Sequence, residues 1–244
     1  MHGLTLACDL DDGGCGGIAM VGFFDSGVGG RCILDAFLRL RPDEPTVYVA
    51  DGENCPYGNR VPAEIVNLSK RIAANLIERG CEVVVVACNT ATAAAIDHLR
   101  SEWPDTPFVG MEPAVKPAAL ESRSGVVGVL ATRGTFNGRL YRETSAKVSG
   151  DVRIIESVAD EFVDLVERGV LSGDEAEIAV RNRLEPLLDA GADRIVLGCT
   201  HFPHLKPLME RVVDGRAVIV DPSEAVARRI VDVLEEVRAC ASRL

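Results

Sequence analysis

From Met20 onward, short apolar runs alternate with longer stretches whose apolar positions recur every three or four residues. The runs at 21–24, 46–50, 83–87, 108–110, 126–130, 153–156, 195–198 and 217–220 read as β-strands. Their Val, Ile and Leu residues follow one another with little polar alternation, the pattern of strands covered on both faces in a parallel sheet. Two intervening stretches show the helical period most clearly. One is 63–79, through Ile65, Leu68, Ile72 and Leu76; the other is 175–190, through Ile178, Val180, Leu184, Leu187 and Leu188. Strand–helix alternation along the whole chain predicts an α/β fold. Nothing after Met20 has the composition of a linker, and no apolar run approaches the roughly 20 residues of a membrane helix. Residues 1–19 are acidic and Gly-rich, lack the basic start of a signal peptide, and read as a disordered tail or a wrongly chosen start.

A weak internal repeat adds organisation to this pattern. The segment beginning Val21-Gly22-Phe23-Phe24-Asp25-Ser26 resembles Val127-Gly128-Val129-Leu130-Ala131-Thr132, 106 residues later. Val85-Val86-Ala87-Cys88-Asn89-Thr90 likewise resembles Val196-Leu197-Gly198-Cys199-Thr200-His201, 111 residues later. The repeat predicts two similar α/β lobes facing each other. Each would present a thiol from the C-terminal end of a strand, where ligands bind in open α/β sheets.

Charge narrows the function classes. With 26 basic and 37 acidic residues the net charge is −11, which repels phosphate backbones and anionic lipid and argues against nucleic acid or a membrane as partner. A dicarboxylate would be repelled at long range as well, so an anionic small-molecule substrate needs local backbone and hydroxyl donors. The eight cysteines include no Cys-x-x-Cys pair, and with no export signal they imply reduced thiols in a cytoplasmic setting.

Cys88 and Cys199 each sit at an expected strand-to-helix turn. A helix N-terminus favours negative charge and is expected to lower a thiol from its usual ~8.5. His201 stands two residues beyond Cys199 as a proton partner. Taken singly, either cysteine is compatible with a buried structural residue. As a pair they admit three chemistries. Dithiol redox exchange lacks its usual spacing, and a zinc site from Cys88, Cys199 and His201 lacks a fourth ligand. Proton transfer needs only a thiol tuned near the working pH. Two identical groups on opposite sides of a carbon suit inversion of a stereocentre more naturally than hydrolysis. Asp25-Ser26-Gly27-Val28-Gly29-Gly30 offers an anion cradle of backbone N–H groups ahead of a helix. Asp25 is out of place beside a phosphate but suits an ammonium group or a partner thiol. A helix N-cap is the alternative for Asp25 or Ser26.

Several segments, in order from about residue 21 to 230, resemble the signature set of the glutamate racemases within the aspartate/glutamate racemase family. They are Asp25-Ser26-Gly27-Val28-Gly29-Gly30, Pro56-Tyr57-Gly58, Ala87-Cys88-Asn89-Thr90-Ala91-Thr92 and Gly198-Cys199-Thr200-His201-Phe202-Pro203, with Met111-Glu112-Pro113-Ala114-Val115 and a segment starting at Asp221. The resemblance implies interconversion of L- and D-glutamate without pyridoxal phosphate, metal or other cofactor, supplying D-glutamate for peptidoglycan. It implies Cys88 and Cys199 as the acid–base thiols, Asp25 assisting the first, His201 the second, and Glu167 as a further catalytic residue. Substrate contacts would come from Asp25, Ser26, Tyr57, Gly58, Asn89, Thr90, Thr132, Thr135, Thr200 and His201. The implied architecture is two lobes, 20–112 with 217–244 and 113–216, with the site in the cleft between them and a homodimer as the assembly. Asp160 and Asp164 stand where Cys and Pro are frequent, and Glu53-Asn54 is more acidic than usual. Two other readings stay open: a two-thiol racemase of aspartate, and a regulator on a racemase scaffold, such as an inhibitor of DNA gyrase.

Overall fold

Two parallel four-stranded sheets organise the computed structural model, which describes residues 19–148, 150 and 152–242. The first contains β1 (Met20–Asp25), β2 (Thr46–Ala50), β3 (Cys81–Val86) and β4 (Phe108–Gly110), in the order β2-β1-β3-β4. The second contains β5 (Val126–Ala131), β6 (Arg153–Val158), β7 (Arg194–Gly198) and β8 (Val218–Val220), in the order β6-β5-β7-β8. Every run expected to be a strand is one. The helices are α1 (Arg31–Leu40), α2 (Pro62–Glu78), α3 (Asn89–Glu102), α4 (Val115–Glu121), α5 (Arg133–Asn137), α6 (Arg139–Val148), α7 (Glu161–Glu167), α8 (Asp174–Asp189), α9 (Lys206–Val213) and α10 (Ser223–Ala241). None is long and apolar enough to cross a membrane, and no disulfide joins the described cysteines. The expectation for residues 1–19 falls, apart from Ala19, outside the described residues.

Burial explains the unbroken apolar strands. Val83, Val84, Val85 and Val86 are all fully buried because helices cover both faces of the first sheet. On one face Val21, Phe23, Val83 and Val85 pack with Ile33 and Phe37 of α1 and with Ala227, Ile230 and Leu234 of α10. Successive side chains alternate faces, so Gly22 points the other way, toward α2. A Cβ at Gly22 would lie 2.8 Å from Cys81 Sγ and 3.2 Å from the Leu76 methyls. The second sheet repeats the arrangement, with Val115 and Ala118 of α4 and Tyr141 and Val148 of α6 over Val127 and Val129. Its Gly128 faces α8, where a Cβ would meet Leu187 Cδ1 at 2.9 Å. We expect Gly22→Ala and Gly128→Ala each to destabilise by about 1–3 kcal/mol through overpacking, read as a lower urea midpoint at unchanged slope.

Strand registers align the repeat. Phe24 lies beside Val86 in the first sheet, and Leu130 beside Leu197 in the second. Asp25 therefore corresponds to Ala131, Ser26 to Thr132, and Cys88 to Cys199. The chain divides into a unit running to Met111 and resuming at Ser223, and a second unit, Glu112–Pro222. This differs from the expected division at Glu112 and over residues 217–222, both expected in the first lobe. The second difference has a clear cause: β8 draws its backbone ladder from β7 and belongs with the second sheet. Only the amphipathic α10 returns to the first unit, where it stacks on α1. Arg238 near its end pairs with Glu44 and Glu82.

Candidate active site

In both sheets the chain winds outward in opposite directions from the two central strands. The loops leaving those strands diverge at their carboxyl ends, the place where ligands bind in open α/β sheets. In the first unit these are the loop after β1, holding Asp25 to Gly30, and the turn after β3, holding Cys88 and Asn89.

Asp25 is fully buried, and its carboxylate organises the glycine loop. Oδ1 accepts the Ser26 N–H at 2.6 Å and the Ser26 hydroxyl at 3.3 Å, while Oδ2 accepts the Gly30 N–H. Gly30 is required there, since a Cβ would lie 2.9 Å from both the Ala87 carbonyl and Asp25 Cβ. Tyr48 secures the loop from β2 by donating its hydroxyl to the Gly27 carbonyl at 2.9 Å. Two expectations are corrected. Neither Asp25 nor Ser26 occupies the N-cap of α1, a place taken by Gly30. The anion cradle is filled from within, because Asp25 itself takes the N–H groups of Ser26 and Gly30.

Cys88 is the N-cap of α3, with extended backbone angles. Its Sγ accepts the Ala91 N–H at 3.4 Å, and its thiol donates toward Ser26 Oγ at 3.6 Å. The expectation of a lowered thiol pKa is overturned. Burial, followed by the negative charge of Asp25, pushes Cys88 up to about 12, and hydrogen bonding with Ala91 and Ser26 offsets only part of that rise. A helix terminus favours a thiolate by a modest amount, whereas full desolvation beside a carboxylate disfavours it strongly.

Asn89 begins α3, and both its amide nitrogen and its amide oxygen are buried with no partner among the described residues. Each such group costs about 1–3 kcal/mol unless something else satisfies it, so the amide is set to receive a ligand. Thr90 is buried beside it. Thr92 serves the fold, donating to the Val86 carbonyl at 3.1 Å and accepting the Met111 N–H at 2.9 Å. Tyr57 is buried next to half-buried Gly58. Its hydroxyl donates to Asp51 Oδ2 at 2.6 Å, a partner that the sequence reading missed. The signal was present: Asp51 follows β2 directly, as Asp25 closes β1, and the Asp51 N–H bonds to the Asp25 carbonyl at 2.9 Å.

In the second unit the corresponding ends carry Thr132 and Cys199. Thr132 caps α5, accepting the Thr135 N–H at 3.4 Å with its Oγ1 3.1 Å from Thr135 Oγ1. Cys199 Sγ lies 3.8 Å from His201 Nδ1, and His201 Nε2 lies 2.6 Å from Glu167 Oε1. A carboxylate only accepts, so Nε2 carries the proton shared with Glu167, and Nδ1 is left to take the Cys199 proton. Phe202, beside His201, meets Phe162 of α7 edge to face at 5.2 Å. That packing seats the start of α7 on the histidine turn, and the last residue of the same helix, Glu167, reaches His201 itself. His201 and Thr200 are almost wholly buried.

The structure thus groups Asp25, Ser26 and Cys88 in one contact network, Tyr57 with Asp51 in another, and Cys199, His201 and Glu167 in a third. The units are unequal in charge despite their matched registers. Asp25 and Asp51 occupy positions that are Ala131 and Ala159 in the second unit. The second unit's acidic group, Glu167, instead acts on a histidine.

Comparison with known proteins adds a family. The model of the Asp/Glu/Hydantoin racemase family matches residues 31–230. Glutamate racemase of Roseiflexus sp. (strain RS-1) is 46% identical over 216 residues, covering 88% of this chain and 79% of that one. Glutamate racemase of Herpetosiphon aurantiacus is 46% identical over 209 residues, covering 86% and 82%. Among solved structures, Escherichia coli glutamate racemase in complex with L-glutamate and the activator UDP-MurNAc-ala superposes with a TM-score of 0.81 at 37% identity, covering 89% and 83% of the two chains.

Proposed function

Because the chain belongs to the Asp/Glu/Hydantoin racemase family, we propose that it interconverts L- and D-glutamate, with Cys88 and Cys199 serving opposite faces of the α-carbon. The observation that carries this reading is the register-matched cysteine at the same strand end of each unit, each with its own acidic or basic neighbour. One thiolate takes the α-proton, breaking C–H and forming S–H. The opposite thiol gives its proton to the other face, breaking S–H and forming C–H. Nothing is oxidised or reduced, and no cofactor enters the balance.

The two thiols enter from different resting states. Buried beside Asp25, Cys88 rests as a neutral thiol and is ready to donate. Cys199 has the His201 imidazole as proton acceptor, with Glu167 holding the charge that results. For the reverse direction Cys88 must ionise, and the substrate's α-ammonium supplies the positive charge that favours its thiolate. Asp25 attracts that ammonium, and the unpartnered Asn89 amide offers both a donor and an acceptor. Ser26, Gly58, Thr90, Thr132, Thr135 and Thr200 complete the donors for the carboxylates. The reading extends to a homodimer in the cytoplasm that supplies D-glutamate for peptidoglycan. Glutamate is preferred to aspartate because relatives at 46% identity over most of the chain are glutamate racemases.

The test is incubation with D-glutamate, and separately D-aspartate, in deuterium oxide without added cofactor. We expect optical rotation to vanish, and deuterium to enter the α-position, for glutamate alone. Exchange with aspartate instead would move the substrate to the shorter dicarboxylate. Inertness toward both, in folded and reduced protein, would overturn the reading.

A further inference from the structure

The two strand-end carboxylates of the first unit are used differently. Asp25 is held by loop N–H groups, whereas Asp51 holds a side chain. Asp51 Oδ2 accepts the Tyr57 hydroxyl at 2.6 Å, and its Oδ1 accepts Asn54 Nδ2 at 2.8 Å. The Asn54 carbonyl is fixed in turn by Arg60 Nε at 2.7 Å. A carboxylate cannot donate, so the Tyr57–Asp51 bond has a single polarity. The phenol hydrogen is committed to Asp51, and the phenol oxygen presents only lone pairs to anything else. A tyrosine held this way accepts from a cationic donor and disfavours a carboxylate. Burial, then Asp51, then the nearby Cys88 and Asp25 all raise the Tyr57 phenol far above its ordinary value, so it remains neutral. In the second unit Ala159 stands at the matching strand end and has no side chain to do the same.

Resting on the glutamate reading above, we infer that Asp51 is a positioning residue that acts through Tyr57, holding its phenol as a dedicated acceptor for the substrate's α-ammonium. Tyr57 makes the contact, and Asp51 decides which way its hydrogen points. Asp51→Asn loses that control, because an amide can donate to the phenol oxygen and turn the hydrogen toward the substrate.

The experiment is a double-mutant cycle on the full chain with Asp51→Asn, Tyr57→Phe and the pair, using D-glutamate as substrate. One lost charge-assisted hydrogen bond predicts about a tenfold fall in kcat/KM for each single variant, carried by KM with kcat nearly unchanged. The pair should be no worse than Tyr57→Phe alone, since Asp51 has no route except through the phenol. Competitive inhibition by glutarate, which lacks the ammonium, should be the same in all four proteins. Circular dichroism and thermal midpoints establish that each is folded. Losses that multiply to about a hundredfold in the pair would overturn the inference, as would an unaffected Asp51→Asn or a matching loss of glutarate binding. A wild-type protein inert to glutamate would instead bring down the functional reading, and this inference with it.

Discussion

Cys199→Ser is expected to lower glutamate racemisation by about a thousandfold or more, and Cys88→Ser by a similar factor. A serine hydroxyl keeps the size and position of the thiol but ionises far less readily, so it cannot act as base at neutral pH. Losing either group stops inversion in both directions, because each direction uses one thiol as base and the other as acid. L- and D-glutamate have equal free energies, so kcat/KM must fall by the same factor in both directions whichever cysteine is changed. The single variants nevertheless differ in a readable way. The thiol that remains can remove a proton from its own face and return deuterium to that face. Each variant should therefore exchange the α-proton of one enantiomer with retention, and the two variants should act on opposite enantiomers. Proton NMR in deuterium oxide with enantiopure glutamate checks this. Near-normal racemisation by either variant would rule out the two-thiol scheme.

Asp25→Asn carries the next largest effect, about a hundredfold in kcat/KM. The buried carboxylate accepts the N–H groups of Ser26 and Gly30 on its two oxygens, and an amide offers only one acceptor. One of those N–H groups would face an NH2 group, costing about 1–3 kcal/mol of stability and loosening the loop that carries Ser26. The site would also lose the charge that attracts the ammonium. Direct titration of the thiol separates this from simple loosening. Thiolate absorbance in the ultraviolet, followed against pH in the substrate-free protein and assigned by its absence in Cys88→Ser, reports the ionisation of Cys88. In the wild type that ionisation lies high, about 12, partly because Asp25 repels the thiolate. Removing the negative charge lowers the Cys88 pKa, so in Asp25→Asn the titration should move to lower pH while kcat/KM falls. A titration that stayed in place or moved upward would contradict the assigned electrostatics.

Much of the fold was legible in the chain because parallel-sheet proteins write it locally. Val83 to Val86 could be read as a strand without any knowledge of its neighbours, since only a doubly covered strand keeps four consecutive valines. The matched cysteine turns were legible for a related reason, because a strand end followed by a helix start is a local pattern that happened to occur twice. Less was visible where the deciding partner lay far along the chain. The strand at Val218–Val220 could be found, but its sheet could not, because the hydrogen bonds that claim it come from β7. Asp51 is marked in the chain only by its place just past β2, because its importance lies in the Tyr57 hydroxyl and in its position beside Asp25.

The sequence by itself determined which elements form, their order, and which side chains stand at the strand ends: Cys88, Cys199, Asp25, Asn89 and His201. Short-range periodicity and turn chemistry are enough for that. Only the tertiary structure decided how those groups behave. It made Cys88 a neutral thiol despite its helix terminus, filled the glycine cradle with the carboxylate of Asp25, and set His201 between Cys199 and Glu167. The physical reason is that desolvation and charge pairing depend on distance in space. Asp25 and Cys88 are far apart in the chain, and they become neighbours only when β1 and β3 lie side by side.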